Sequence, residues 1–110
     1  MNGNESSSIK YKDNIYPLND TFVSAFETLE PKHFTFKTTG QPGVGFIAEE
    51  VYEAGLHEFV TKDPVSGEIT GLVYEHMVAP LLKLVQQYKE QIDTLTKRVE
   101  LLEMNLYNQK

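Results

Sequence analysis

Apolar side chains recur at Leu81, Val85, Tyr88, Ile92, Leu95, Val99, Leu102 and Leu106, with spacings that alternate strictly between four and three. That spacing is a heptad, with Val85, Ile92, Val99 and Leu106 at a and Leu81, Tyr88, Leu95 and Leu102 at d. A lone helix would leave this seam in water. Burial of each large side chain is worth about 1.5–3 kcal/mol, whereas ordering a residue costs about 1.5 kcal/mol. The seam is therefore predicted to need partner helices, and sustained heptads favour self-association over packing on the chain's own domain. Arg98 at g and Glu103 at the following e are placed to pair between parallel helices. β-branched residues at a with Leu at d lean toward dimers, but Tyr88 and Leu106 depart from that rule. Periodicity alone leaves the copy number open. Pro80 is predicted to sit in the first turn, where its missing N–H costs nothing. A start nearer Glu75 would instead put Pro80 inside the helix and kink it.

The rest of a 110-residue chain has room for one small core and not two. An α+β class is predicted: a flexible leader at 1–8, a small globular strand-and-helix domain at 9–79, and a C-terminal coiled-coil helix at 80–110. Ten Lys and Arg against sixteen Asp and Glu give a net charge of −6, which argues against a nucleic-acid partner. From Gln41 to Pro80 seven acids face Lys62 alone, an acidic surface block. No run of eighteen apolar residues exists to enter a membrane, and the N-terminus has no apolar stretch of secretory type. Cysteine is absent, which removes disulfides, thiolate zinc sites and thiol catalysis together.

Within the globular part, Ile9 to Ile15 alternates weakly and suggests a short strand. Asn19 to Thr21 offers helix caps before Phe22, Ala25, Phe26 and Leu29 at helical spacing, and Pro31 ends that helix. Phe34 and Phe36 alternate as a strand would, followed by a turn-rich stretch at Thr38 to Gly45. Glu49 to Ala54 reads as a brief helix stopped by Gly55, and Phe59 to Tyr74 as a hairpin turning at Asp63 to Gly67. Phe34, Phe36, Phe46, Ile47, Val51 and Tyr74 are the expected core, with Glu49 and Glu50 at or near the surface.

Motifs for chemistry are few. His33, His57 and His76 are too far apart in sequence to suggest a metal site. Gly40-Gln-Pro-Gly-Val-Gly45 lacks the Lys-Ser/Thr ending of a phosphate loop and reads as a turn. No cofactor or nucleotide is announced. Ser7 precedes Lys12 by five residues, with Lys10 between them. A Ser hydroxyl becomes a nucleophile when a base removes its proton, and a Lys amine serves if burial or a neighbouring cation such as Lys10 favours its neutral form.

The order of features resembles a known family. Ser7-Ser-Ile-Lys-Tyr-Lys-Asp-Asn-Ile15 is similar to the opening Ser-Asp-x-Arg-x-Lys-x-Asn-Ile motif of the self-cleaving intramolecular chaperone domains of phage tailspikes, of endosialidase and neck-appendage type. Leu29-Glu-Pro31 with Phe34-Thr-Phe-Lys37 resembles a second stretch of that family. Gly45-Phe-Ile-Ala-Glu-Glu-Val51 is close to its Gly-Phe-Ile-Ala-Gln-Glu-Val segment, and Val73-Tyr74 precedes the long helix as its Tyr does. Four positions depart from these patterns: Ser8 for Asp, Lys10 for Arg, Tyr11 for an aliphatic residue, and Glu49 for Gln.

The resemblance implies a domain that forms a parallel homotrimer through its coiled coil and registers the upstream chains of its own precursor so that a triple β-helix folds. It then cuts itself off once, in cis. Ser7 would be the nucleophile, Lys12 the base, Asn14 and Lys10 supporting residues of the motif, and Ser6–Ser7 the bond cut. The setting implied is the host cytoplasm during phage assembly, with release from the mature spike. A coiled-coil adaptor without peptidase activity is the alternative from a different class, and a chaperone with an inactive dyad is a third.

Overall fold

The computed structural model describes residues 7–109. Helix α1 (Asp20–Ser24) continues as a 3-10 turn through Thr28, and the Asn19 side chain accepts hydrogen bonds from Thr21 and Phe22 N–H at its start. Strands β1 (Lys32–Thr35) and β2 (Pro42–Gly45) form an antiparallel ribbon, with Phe34 opposite Gly43. A Cβ at Gly43 would run into the Phe34 and Phe36 rings, so the register needs glycine there. Helix α2 (Ala48–Glu53) carries Glu49 and Glu50 in its first turn, where the helix dipole favours acids. It ends at Gly55, whose φ of 86° is the left-handed conformation of a helix stop. Strands β3 (Val60–Lys62) and β4 (Ile69–Leu72) make the second antiparallel ribbon. Its turn is shaped by the Asp63 carboxylate, which accepts from the N–H groups of Val65 at 2.8 Å and Ser66 at 2.9 Å. Helix α3 (Tyr74–Asn108) then runs 35 residues, about 52 Å, and supplies most of the 72 Å long dimension.

The core lies where α1, α2 and the upper part of α3 converge. Val23, Phe26, Val51, Leu56, Phe59, Met77 and Leu84 are buried. Phe22, Phe26 and Phe59 form an aromatic cluster with ring centroids 5.1–6.1 Å apart. A salt bridge of 2.6 Å between Lys32 and Glu50 ties β1 to α2.

Several expectations are corrected. Ile9 to Ile15 is not a strand: Ile9–Tyr11 is a single 3-10 turn, and Asn14 at φ 54° breaks any extended run. Half of the turn-rich stretch before Phe46 is strand β2. Of the six expected core residues, Val51 alone is fully buried; Phe34, Phe46 and Ile47 are half-buried, and Phe36 and Tyr74 are 51% and 47% exposed. A two-stranded ribbon has no second layer to cover it, so its aromatics line a shallow apolar groove of about 420 Å³ with Val44 and Leu72. As expected, Glu49 is exposed and Glu50, bridged to Lys32, lies half-buried near the surface. The long helix begins at Tyr74, six residues before Pro80. Pro80 has no N–H for the carbonyl of His76, a loss of about 3 kcal/mol in an open helix. Here its ring is buried in the core, where packing opposes that loss.

Candidate functional site

Two features stand out, one at each end of the chain. At the N-terminal end, the Ser8 hydroxyl accepts from Lys10 N–H at 3.4 Å and caps a single 3-10 turn. Backbone bonds of 3.1 Å from Tyr11 N–H to the Ser8 carbonyl and from Lys12 N–H to the Ile9 carbonyl close it. This turn folds Lys12 back, so that its ammonium donates to the Ser7 backbone carbonyl at 3.0 Å. The contact joins the Lys12 side chain to the Ser7 main chain, not to its hydroxyl. Lys10 lies apart from that contact, its ammonium 5.2 Å from the centre of the Tyr11 ring. Asn14 adopts the left-handed conformation that Asn tolerates better than most residues, redirecting the chain just after Lys12. Ser6, and with it the Ser6–Ser7 bond, lies outside the described residues.

At the other end, helix α3 presents two faces. Met77 and Leu84, at g, and Pro80, at c, are buried against the head. The a and d positions point elsewhere. All eight expected seam residues are uncovered, from 39% exposure at Leu81 to 65% at Leu106. The helix therefore spends one face on its own domain and leaves the heptad face unburied.

The seam is also longer than expected. Tyr74 continues the d series and Val78 the a series, and both are exposed. The signal was the same three–four spacing, carried upstream past Pro80, but a proline read as a helix start hides it. The Tyr74 hydroxyl accepts from Phe46 N–H at 3.1 Å and donates to the Phe46 carbonyl at 3.2 Å, while the two rings stack. Gly45 sits beneath that hydroxyl, and a Cβ there would overlap it. The Gly-Phe-Ile-Ala segment and the tyrosine that opens the helix are thus one latch. Two further contacts tie α1 and the turn after it to α3. Asp20 accepts from the Gln87 amide at 2.8 Å, and the Tyr88 phenol comes under the influence of Glu27. Removal from water and then the neighbouring Glu27 hold the Tyr88 phenol above its ordinary pKa.

Among the described residues, no cluster of three or more His, Cys, Asp or Glu is placed to hold a metal, and no helix is long and apolar enough to cross a membrane. His57 stacks on Tyr52 at 3.9 Å.

The described residues thus form a small head carried on a long helix whose heptad face is largely uncovered. The chaperone-of-endosialidase family matches residues 7–61, half of the chain, and the protein belongs to that family. The match runs from the serine of the N-terminal turn through β3 and leaves α3 outside. No curated protein and no solved structure matches the chain.

Proposed function

We propose that this protein is an intramolecular chaperone whose α3 helices associate as a parallel homotrimer, holding the upstream chains of a phage tailspike or appendage precursor in register while their triple β-helix folds. The observation that carries the reading is the uncovered heptad face of α3, on a helix whose other face is already buried in the head. Membership of a chaperone family supports it. Joining three chains at one end makes later strand pairing effectively intramolecular, which removes much of the association entropy from β-helix nucleation. Non-local β pairing is slow and aggregation-prone, so such a clamp is useful while folding proceeds.

Release follows by self-cleavage at Ser6–Ser7. The Ser7 hydroxyl attacks the Ser6 carbonyl carbon while the neutral Lys12 amine takes its proton. The Ser6–Ser7 C–N bond breaks, the Ser7 nitrogen receives the proton, and the acyl group rests on the Ser7 oxygen as an ester. Water then cleaves the ester, giving a Ser6 carboxylate and regenerating the Ser7 hydroxyl. Lys12 supports this role by lying against the Ser7 backbone. Once cut, the spike is trapped kinetically because its folding template has left.

The test is a longer chain carrying the upstream residues, followed by light scattering and intact mass. A trimer that loses its upstream part at one bond is expected. A monomer ends the assembly reading, and a trimer that stays whole leaves a chaperone or adaptor without peptidase activity.

A further inference from the structure

Residues 9 to 21 are all exposed, although they include Ile9, Tyr11, Ile15, Tyr16 and Leu18. Ile15 and Tyr16 are 66% and 81% exposed, and the chain from Lys12 to Asn19 belongs to no helix or strand. An arm this apolar, uncovered by its own domain, is built to be covered on assembly.

Where the arm starts decides what covers it. Its base is pinned by the bond from Gln87 to Asp20, and Gln87 is a c position of α3. The head itself packs on the g positions Met77 and Leu84. The arm therefore leaves the helix on its c and g side. In a parallel coil the g side of one helix faces the e side of the next. The e positions of α3 are Glu75, Leu82, Lys89, Thr96 and Glu103, and Leu82 is the apolar one. It is 55% exposed and lies outside the a and d seam, so the seam alone gives it no partner.

The distances agree. Leu82 is five positions above Gln87, about 7.5 Å along the axis, and packed helices lie about 8–10 Å apart. The four residues from Asn19 back to Ile15 span up to about 13–14 Å when extended.

We infer that in the assembled protein the arm of each copy crosses to the next copy, with Ile15 and Tyr16 packed over Leu82 of that neighbour. This rests on the assembly reading above and adds a consequence to it. The turn that holds Ser7 and Lys12 is continuous with the arm, so docking fixes the cleavage segment only once the neighbour is present. Assembly then gates cutting through the arm, not through the seam alone.

Photo-crosslinking tests the crossing directly. With benzoylphenylalanine in place of Tyr16, irradiation should give covalent dimers and trimers on denaturing gels, with adducts mapping near Leu82 of the other chain. Adducts confined within one chain, or none, overturn the proposal. Hydrogen exchange gives a second readout. Amides of residues 12–18 should exchange at least about tenfold more slowly in the intact protein than in the Ile92→Asp variant; equal rates overturn it. Tyr16→Ser and Leu82→Ser should each free the arm while light scattering still reports the oligomer. An unmutated protein that scatters as a monomer removes the assembly reading and this inference together, whereas an oligomer with an unprotected arm removes this inference alone.

Discussion

Gly45 and Tyr74 show how one residue's size serves another's hydrogen bonds. The tyrosine hydroxyl reaches both polar groups of the Phe46 peptide because Gly45 has no Cβ to block it. Tyr74→Phe is expected to cost about 0.5–1.5 kcal/mol for each bond lost. Gly45→Ala should destabilise by about 1–3 kcal/mol through overlap with the ring. Because both act on one contact, Gly45→Ala should cost clearly less in the Tyr74→Phe background, which urea melts of the four proteins would show. Additive losses would mean the latch is not what Gly45 serves. Asp63 makes a pH prediction at the same scale. Hydrogen bonds from Ser66 and Val65 hold its carboxyl below the ordinary value of 3.8 in the folded protein. Its contribution is present above that value and is lost as pH falls through the lowered folded one. Melting temperatures followed from pH 7 to pH 2 should therefore drop less steeply below pH 4 in Asp63→Asn, which keeps an acceptor oxygen but does not titrate.

At the scale of elements, the two ribbons and the helices contribute unequally. Phe59→Ala, from the aromatic cluster, is expected to cost about 3–5 kcal/mol. Phe36→Ala, from the exposed ribbon, should cost well under half of that, and equal losses by chemical denaturation would contradict the burial described. For α3 the decisive change is Ile92→Asp. It puts an unpaired charge at a central a position and is expected to dissociate the oligomer, read by light scattering at micromolar concentration. The head should survive, since Met77, Pro80 and Leu84 hold the helix to it on another face.

At the scale of the molecule, the proposed cutting is expected to depend on the proposed assembly. Fixing the scissile carbonyl near the Ser7 hydroxyl can supply about 7–11 kcal/mol of the barrier. Ser7→Ala and Lys12→Ala should each abolish cleavage of the longer chain while leaving the oligomer folded. Ser6→Ala and Ser8→Ala should not abolish it. Persistent cutting in Ser7→Ala, seen as an unchanged fragment mass, would move the nucleophile to another of the three serines.

The long helix, the short helix before Gly55 and the hairpin turning at Asp63 were legible in the amino-acid sequence because each depends on local rules. Heptad spacing, a left-handed glycine and an aspartate capping two N–H groups act within a few residues of themselves. Which aromatics are buried was not legible. Phe34, Phe36 and Phe59 are alike as letters, and only the convergence of α1, α2 and α3 decides that Phe59 has neighbours on every side while Phe36 has solvent. Pro80 misled for a related reason: local preference places proline at a helix start, whereas here the core surrounds its ring in the middle of a turn. The Gly45–Tyr74 latch joins residues 29 apart, a distance that no periodicity spans. Periodicity determined that α3 carries one continuous apolar face; tertiary packing decided which other face the head would occupy, and so which side of the helix the N-terminal arm leaves.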